Sequence, residues 1–326
     1  MTRVVRLHEA GGPEVLRVDE IDVRDPAPGE VRVRVEAIGV NRSDSTFRSG
    51  HHPVKPVFPS MLGSEAAGRV ERLGEGVTEF AIGDAVSVVP RMAPAYGTYG
   101  ELIIAPAEFL VRHPENFSMI QAAALWAPFL TAHGGLFDKG DMKEGDVVIL
   151  TAASSSVGLA AIQLVNMAGG VPIATTRSRD KAQALLDAGA AHVIVTDEED
   201  VAARVAEITA GKGARLVFDA VAGPGAAALA QSLAMGGRYI IYGMLSSEPT
   251  PFPVGLSFAR GLTMETYIVA SKRPLLDRAI GIITDGVARG LLSPIVARTF
   301  PLEESVAAHR YMESNAQFGK IIITVD

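Results

Sequence analysis

An uncharged stretch of 30 residues, positions 147–176, constrains the fold more than any other feature of the sequence. A helix across a membrane needs only about 20 apolar residues, so the length alone would allow one. Serine, glycine and proline nevertheless divide the stretch into an apolar run, a small-residue turn, a helix-like segment and a second apolar run. Continuous apolar runs are typical of strands buried on both faces. The stretch therefore predicts a buried strand–helix–strand unit.

The rest of the chain shows two different sequence patterns. Up to about residue 115, short extended segments alternate with turns, and residues 31–35 have the period of two expected of a half-buried strand. From about residue 120, apolar segments alternate with alanine-rich helical segments, which predicts right-handed crossovers and a parallel sheet covered on both faces. The strands predicted in this part are 147–150, 171–175, 193–195, 216–218, 239–242 and 262–268. Helices are predicted at 179–188, 199–210 and 275–289, followed by a closing strand at 320–325.

Length, charge and cysteine content limit the possible functions. A chain of 326 residues fits two domains, at roughly 100 to 200 residues each. A net charge of −7 without a run of lysine or arginine argues against a nucleic-acid partner. The absence of cysteine excludes disulfides, thiolate catalysis and zinc sites that need a thiolate ligand. Charges at short intervals in the first 30 residues leave no signal peptide, so we expect a cytoplasmic protein without a membrane partner.

The segment 146–165 has the order of a dinucleotide site, which is strand, tight turn and helix. The usual G-x-G-x-x-G pattern is filled here by Ala153, Ser154, Ser155, Ser156, Val157 and Gly158. Small side chains let the backbone approach a pyrophosphate, and the helix N-terminus presents N–H groups to it. Serine hydroxyls would add further donors. The alternative is an ordinary turn between a strand and a helix.

The second predicted strand ends about 20 residues beyond this turn, where a ribose-reading side chain is expected. An acidic residue there would favour NAD. This chain instead places cations among hydroxyl residues, namely Thr176, Arg177, Ser178, Arg179 and Lys181. Arginine pairs with phosphate through two hydrogen bonds and lysine acts as a point charge, so the segment favours NADPH. The alternative is that Arg179 and Lys181 only solvate the first turn of a helix.

Several short motifs follow one another along nearly the whole chain: Asn41-Arg42-Ser43-Asp44, Arg48-Ser49-Gly50, residues 62–68, 80–86 and 122–124, Thr131, residues 152–163 and Gly319-Lys320. Jointly they resemble the zinc-independent medium-chain dehydrogenases/reductases of the quinone oxidoreductase (zeta-crystallin-like) family. The resemblance implies a doubly wound parallel Rossmann sheet and a mostly β, GroES-like catalytic domain built from both chain ends. The implied boundaries are 1–123 and 269–326 for the catalytic domain and 124–268 for the dinucleotide-binding domain.

The same resemblance implies a metal-free hydride transfer from NADPH to a quinone or another conjugated carbonyl, because Asn41 and Ser64 stand where zinc-dependent relatives have metal ligands. The implied catalytic residues are Asn41, Asp44, Thr46 and Arg48, with Thr46 where bacterial quinone reductases often have a tyrosine. The implied cofactor contacts beyond the turn and the basic segment are Asn41, Thr131, Asp219, Gly223, Gly243, Met244 and Lys320. Two alternatives remain open, which are reduction of an enoyl or haloacrylate double bond and NADPH binding without turnover.

The proton donor and the oligomeric state are further open points. Candidate donors are His51, His52, Tyr96, Tyr99 and His133, each of which could equally be a loop or packing residue. Trp126 is interpreted as a packing residue. A homodimer is expected through strand 262–268, because a largely apolar edge strand can pair with its copy across a two-fold axis.

Overall fold

The computed structural model describes residues 1–90, 96–114, 116–269 and 273–326, and the chain divides into two compact units. The first unit consists of Met1–Ala127, Ser271–Pro274 and Pro294–Asp326, and the second of Pro128–Ala270 and Leu275–Ser293. The strands are β1 (Thr2–Leu7), β2 (Leu16–Ile21), β3 (Glu30–Val40), β4 (Ser60–Met61), β5 (Ala66–Leu73), β6 (Ala85–Val88), β7 (Leu102–Pro106), β8 (Leu110–Arg112), β9 (Val147–Leu150), β10 (Val171–Thr176), β11 (His192–Val195), β12 (Ala214–Asp219), β13 (Leu233–Ile241), β14 (Thr263–Thr266), β15 (Val296–Pro301) and β16 (Lys320–Thr324). The α-helices are α1 (Arg42–Arg48), α2 (Met119–Ala122), α3 (Trp126–His133), α4 (Ser156–Met167), α5 (Ala182–Asp187), α6 (Val201–Ile208), α7 (Ala226–Gln231), α8 (Val254–Arg260), α9 (Arg273–Ala288) and α10 (Ser305–Glu313).

The first unit is mostly β and is closed by both ends of the chain. Its larger sheet has the order β15-β16-β3-β5-β6-β8, with β7 also paired to β3, and its smaller sheet has the order β2-β1-β4. Along β3, Val31, Val33 and Val35 are buried while Arg34 is exposed, which confirms the predicted alternation. The last strand, β16, pairs antiparallel with β3 and so completes a sheet that the N-terminal residues begin.

The second unit contains a six-stranded parallel sheet in the order β11-β10-β9-β12-β13-β14. The chain moves outward from β9 to β11 and then returns to build the other half from β12 onward. This order confirms the predicted doubly wound fold, and ligands in such folds bind where the direction reverses, at the carboxyl ends of the strands. Residues 147–176 form β9, α4 and β10. Within the described ranges, no helix is both long and apolar enough to cross a membrane.

Some element ends differ from the sequence-based expectation. Helix α4 begins at Ser156, inside the six residues 153–158 that were predicted as the turn, because the Ser155 side chain accepts a hydrogen bond from the Gly158 N–H and so caps the helix there. Strand β13 begins at Leu233, well before the predicted 239, since its first residues already pair with β12. Strand β14 covers four residues of the predicted 262–268.

The sequence-based division also differs from the structure at α9. Residues 269–326 were assigned to the catalytic domain, whereas α9 lies in the second unit from Leu275 onward. Its apolar face buries Leu276 and Ile283, as an amphipathic helix requires. Two hydrogen bonds then join Gln163 of α4 to the Ser293 backbone, at 2.7 and 2.9 Å, just after the helix. These contacts explain why the unit of β9–β14 includes this segment.

Candidate active site

The turn after β9 brings the start of α4 unusually close to the strand. A Cβ atom on Gly158 would lie 2.6 Å from both the Cα and the carbonyl oxygen of Ala153. Only glycine therefore allows this approach, which is the role of the third glycine in a dinucleotide-binding turn. The turn itself contains Ala152 with a positive φ of 45°, a left-handed conformation that glycine usually supplies.

The start of α4 presents hydrogen-bond donors. The first intrahelical bond runs from Leu159 N–H to the Ser155 carbonyl at 2.9 Å. The N–H groups of Ser156 and Val157 precede it and have no partner within the helix. Together with the helix dipole, such donors bind anions. The start of α4 thus offers donors to an anion, and the contact of residues 153–158 with a pyrophosphate stays a prediction.

A lysine side chain lies next to this turn, and an arginine lies near that lysine. The Nζ atom of Lys181 lies 3.3 Å from Ser154 Oγ, so the segment after β10 reaches back to the serines. Partial burial, and then the charge of Arg177, lower the pKa of Lys181. A bound phosphate would offset this repulsion between cations. Thr176 Oγ1 donates to the Ser178 carbonyl at 3.3 Å and so shapes the same segment.

Arg179 differs from its two basic neighbours. Its guanidinium forms an ion pair with Glu198, and the side chain is 71% exposed. The sequence placed Arg179 with Arg177 and Lys181 as a phosphate ligand. The structure pairs it with a carboxylate on the loop after β11 instead, a contact that spacing along the chain does not reveal.

Asp219, at the end of β12, uses its carboxylate for hydrogen bonds within the protein, including two to the loop that follows it. Its two carboxylate oxygens accept hydrogen bonds from Thr151 Oγ1 at 2.6 Å, Tyr239 Oη at 2.8 Å, and the N–H groups of Val221 and Ala222 at 2.8 and 3.0 Å. The side chain is fully buried. Asp219 therefore fixes the loop that follows β12, and its carboxylate is not arranged as the predicted cofactor contact.

The loops after β12 and β13 lie against each other at the same edge of the sheet. A Cβ atom on Gly243 would lie 2.8 Å from the Ala220 carbonyl oxygen, so the approach requires glycine. Gly223 has a positive φ of 69° in the first of these loops. Met244 is largely exposed next to Gly243. This edge holds the predicted residues Gly223, Gly243 and Met244 near the carboxyl ends of the strands.

Helix α3 carries three of the residues singled out in the sequence. Trp126 and His133 are buried, and burial lowers the pKa of His133, so its imidazole is neutral. Thr131 is half-buried on the same helix. Trp126 is a packing residue, as interpreted from the sequence, and His133 is not accessible as a proton donor.

In the first unit, Asn41 belongs to a buried charged cluster. Lys320 Nζ lies 2.6 Å from Glu65 Oε2, and the two side chains are 1% and 0% exposed. Lys320 also donates to Asn41 Oδ1 at 2.7 Å, while Asn41 Nδ2 donates to the Gly39 carbonyl at 3.1 Å. The second Glu65 oxygen accepts the N–H of Ala127 at 2.7 Å. Lys320 is thus sealed inside the unit, so its predicted role as a direct cofactor contact does not fit its burial.

This cluster does not fit a metal ion at the positions that zinc-dependent relatives use. The Asn41 oxygen already faces an ammonium group, whose charge would repel a cation, and Ser64 offers only a hydroxyl. In the part of the chain that is described, no group of three or more His, Asp or Glu side chains is arranged to hold a metal ion.

Asp44 lies inside the unit as part of a hydrogen-bonded chain. Its carboxylate accepts the N–H of Asn41 at 2.9 Å and the hydroxyl of Tyr99 at 3.1 Å, and Tyr99 Oη is 3.2 Å from His309 Nε2. Burial raises the pKa of Asp44 to about 6 and lowers that of His309 to about 3. With Asp44 ionised, the single Tyr99 proton goes to the carboxylate, so the neutral His309 donates from Nε2. Asp44 therefore caps α1, and its predicted contact with substrate does not fit this position.

Arg48 is also buried, and its hydrogen bonds are likewise made inside the first unit. Its guanidinium is 2% exposed, forms an ion pair with Glu313 of α10, and donates to the Gly11 carbonyl and to Ser45 Oγ. These contacts tie α1 to α10, so Arg48 is not available as the predicted catalytic group. Thr46, in contrast, is half-buried and donates to the Ser43 carbonyl at 2.9 Å.

The remaining donor candidates of this unit lie near the surface. The backbone N–H groups of His51 and His52 both donate to the Thr46 carbonyl, at 2.8 and 2.9 Å. His51 is exposed and His52 is half-buried. Tyr96 donates its hydroxyl to Glu30 at 2.8 Å. Of the predicted donors, the two histidines thus remain accessible beside Thr46.

Sequence reasoning missed the importance of Glu65. The signal that could have found it is a single carboxylate within a run of glycine, serine and alanine at 63–68. Small neighbours allow close packing, and a charged side chain buried by such packing needs a partner. The identity of the partner, 255 positions away, had no local signal.

Comparisons with known proteins agree with this architecture. The model of the alcohol dehydrogenase GroES-like domain matches residues 27–115, and that of the zinc-binding dehydrogenase matches residues 156–283. A 2-haloacrylate reductase of Burkholderia sp is 32% identical, and quinone oxidoreductase 1 of Escherichia coli is 33% identical, each over 99% of both chains.

Two solved structures match at the level of the whole chain. The Escherichia coli quinone oxidoreductase complexed with NADPH superposes with a TM-score of 0.91 at 31% identity, over 99% of both chains. An NAD-dependent alcohol dehydrogenase gives a TM-score of 0.92 at 33% identity, over 99% of this chain and 100% of that one. The fold and the site define a two-domain oxidoreductase with a GroES-like unit and a Rossmann unit. The chain belongs to the quinone oxidoreductase family of the medium-chain dehydrogenases/reductases.

We predict that Asp44→Asn steepens the rise of the unfolding free energy with pH between about 4 and 6. In this window the folded chain keeps a proton on Asp44 that the unfolded chain releases, because the pKa of Asp44 is raised from 3.8 to about 6, and stability is lost as pH rises. His309 acts in the opposite direction, because its pKa is lowered from 6.5 to about 3 and the unfolded chain binds the proton. Removing Asp44 should leave the His309 slope, at most about 1.4 kcal/mol per pH unit.

Urea unfolding of the full chain at several pH values measures this slope. His309→Gln is the matched control, because it removes the opposing group and should turn the slope negative over the same window. Identical slopes in Asp44→Asn and the unaltered chain would contradict the prediction.

Proposed function

We propose that the protein transfers hydride from NADPH to a quinone or to another conjugated carbonyl compound. The observation that carries the proposal is the approach of Lys181 to the serine turn at the start of α4, with Arg177 near enough to Lys181 to lower its pKa. A turn that binds pyrophosphate, next to two cations and without an acidic ribose ligand on β10, suits a nucleotide with a 2′-phosphate. The similar Escherichia coli quinone oxidoreductase, whose structure was solved in complex with NADPH, supports the same choice.

The second unit supplies the groups that would hold the nucleotide. The N–H groups of Ser156 and Val157 and the hydroxyls of Ser154 and Ser155 would bind the pyrophosphate. Arg177 and Lys181 would bind the 2′-phosphate. When bound, NADPH supplies a hydride from its nicotinamide ring, and the carboxyl edge of the sheet would orient that ring through the loops that contain Gly243 and Met244.

The first unit would contribute the acceptor side. Asn41 is held rigidly by Lys320, and Thr46 presents a half-buried hydroxyl next to His51 and His52. The more acidic phenol that a tyrosine would provide at position 46 is missing, while Tyr99 is buried. This arrangement suits a quinone, since a reduced quinone can take its protons from solvent without a dedicated protein donor.

A second candidate is the reduction of an activated carbon–carbon double bond. The observation that favours it is the similarity to the 2-haloacrylate reductase, at 32% identity over 99% of both chains. That reaction places a proton on carbon, so it would need a positioned donor, for which His51 and His52 are the accessible groups.

The two reactions differ in the acceptor that they consume. We predict rapid NADPH oxidation by the purified full chain with a simple quinone, and slow oxidation with 2-chloroacrylate and with an enone. Absorbance of the reduced nicotinamide, followed with each acceptor in turn, measures these rates. Rapid oxidation with 2-chloroacrylate or the enone and none with quinones would overturn the first choice in favour of the second. No oxidation with any acceptor, despite tight NADPH binding, would indicate a binding protein without turnover.

The cofactor assignment predicts a selective effect of Arg177→Ala. Loss of a charged hydrogen bond to the 2′-phosphate should weaken NADPH binding by roughly 10- to 100-fold and leave NADH binding nearly unchanged. Arg179→Ala is the matched control, because that guanidinium is already paired with Glu198. Isothermal titration with both nucleotides measures the difference. Equal weakening of NADPH and NADH by Arg177→Ala would refute the phosphate assignment.

We further propose that the protein forms a homodimer through the β14 edge of the six-stranded sheet. Within the described residues, β14 is the last strand on this side and has no second neighbour. Apolar side chains lie exposed close to it along the chain, with Phe258 at 92%, Val254 at 64% and Ile268 at 62%. Val254 and Phe258 are four residues apart and share one face of α8. An exposed apolar face next to an unpaired strand edge is typical of a subunit interface.

Phe258→Asp should convert a dimer into a chain with the monomer mass of 34.3 kDa, because it places a charge on this face. Ile82→Asp changes an equally apolar and exposed residue in the first unit and should leave the dimer intact. Sedimentation analysis of the three chains measures their masses. A monomeric mass for the unaltered chain at micromolar concentration would disprove the proposal.

A further inference from the structure

The ring of Tyr242 is held firmly at the end of β13. Its N–H donates to the Asp219 carbonyl at 2.8 Å, and its ring stacks on Phe218 with centroids 3.9 Å apart and an angle of 18°. Phe218 is in turn packed against Gly135, where a Cβ atom would lie only 2.2 Å from the Phe218 ring. A ring packed in this way cannot turn freely, so the direction of the Tyr242 hydroxyl is fixed by the fold.

The Tyr242 hydroxyl is an exception among the buried polar groups. Its oxygen is closed off from solvent, and none of the described residues completes a hydrogen bond with it. Burial raises the pKa of Tyr242 and the neighbouring Ser155 side chain lowers it in part, so the phenol is neutral and keeps its proton. A buried donor without a partner costs about 1–3 kcal/mol. Such a group calls for a partner in the functional state of the protein.

Ser155 is the polar group next to this hydroxyl, and its hydrogen-bonding capacity can be counted. A serine hydroxyl has two acceptor positions and one proton. The Gly158 N–H occupies the first acceptor position at 3.1 Å. If the Tyr242 O–H occupies the second, the Ser155 proton must be donated elsewhere. A ligand at the start of α4, where the N–H groups of Ser156 and Val157 have no partner within the helix, could accept this proton.

We propose that Tyr242 is a positioning residue for the nucleotide, which donates its hydroxyl proton to Ser155 Oγ and thereby directs the Ser155 proton to an oxygen of the pyrophosphate. The inference rests on the proposed function, because it presupposes a dinucleotide at the serine turn. The inference assigns the two phosphate groups of the nucleotide to different residues of the second unit. Arg177 and Lys181 distinguish the 2′-phosphate, whereas Tyr242 and Ser155 act on the pyrophosphate that NADPH and NADH share.

The test is the affinity of Tyr242→Phe for four nucleotides, measured by isothermal titration of the full chain. The variant keeps the ring that stacks on Phe218 and removes only the hydroxyl. NADPH, NADH and ADP-ribose all contain the pyrophosphate, and each should bind about three- to tenfold more weakly, as expected for one hydrogen bond. Adenosine 2′-monophosphate lacks the pyrophosphate and should bind as before.

Two further variants separate positioning from general damage. Tyr239→Phe removes a hydroxyl from the same strand, but one that donates to Asp219; it should lower the melting temperature without changing the affinity for ADP-ribose. In a Ser155→Ala background, Tyr242→Phe should cause no additional loss, because the hydroxyl acts through Ser155.

Unchanged affinity of Tyr242→Phe for NADPH, a loss that extends to adenosine 2′-monophosphate, or an additional loss in the Ser155→Ala background would each overturn the inference while leaving the proposed function in place. Failure of the unaltered chain to bind both NADPH and ADP-ribose would overturn the proposed function and this inference together.

Discussion

The buried ion pair between Lys320 and Glu65 is the interaction on which the first unit depends. Both side chains are sealed from solvent, and removing charges from water costs several kcal/mol for each ion unless they are paired and hydrogen-bonded. Here Asn41 and the Ala127 N–H complete the hydrogen bonding. The partners come from β16, from the segment before β5, from the start of α1 and from α3. Displacing Lys320 or Glu65 would leave the other as an uncompensated buried charge, and displacing Asn41 or Ala127 would leave one of these charges short of a hydrogen bond. The four segments must therefore be in place together.

The same ion pair affects residues 41–48, which include the catalytic residues that the family resemblance implies. Asn41 is fixed by Lys320, and the helix that begins behind it turns Asp44 and Arg48 inward, to Tyr99 and to Glu313. The polar motif at 41–48 is therefore largely a scaffold that joins α1 to the rest of the unit. The side chains of this motif that stay accessible are the exposed Ser43 and the half-buried Thr46, whose hydroxyl donates to the Ser43 carbonyl. Most polar side chains of a motif can thus serve to hold the backbone, whatever the function of the segment.

The sequence predicts the features that depend on residues close together in the chain, and it leaves open those that depend on residues far apart. Alternation at 31–35 and the strand, turn and helix at 147–167 are local patterns, so β3, β9 and α4 could be predicted, and with them the parallel sheet. The roles of residues whose partners are far away in the sequence could not be predicted in this way. Arg179 meets Glu198 across two strand ends, and Arg48 meets a carboxylate 265 positions later. The burial of Lys320 was equally hidden, since a lysine before an apolar strand is usually exposed.

The proposed phosphate site at the serine turn contains one glycine instead of three. The glycine at 158 remains because the backbone of Ala153 leaves no room for a Cβ atom there. The left-handed position falls on Ala152, at a cost of about 1–2 kcal/mol that a glycine would avoid. The serines at 154–156 bring hydroxyl donors, which glycine does not have, to the place where a pyrophosphate would lie. Donors on side chains must be oriented, however, whereas N–H groups are oriented by the helix itself. When serine replaces glycine in such a turn, recognition of the pyrophosphate therefore depends in part on the residues that orient the serine hydroxyls. Tyr242, next to Ser155, is one of these residues.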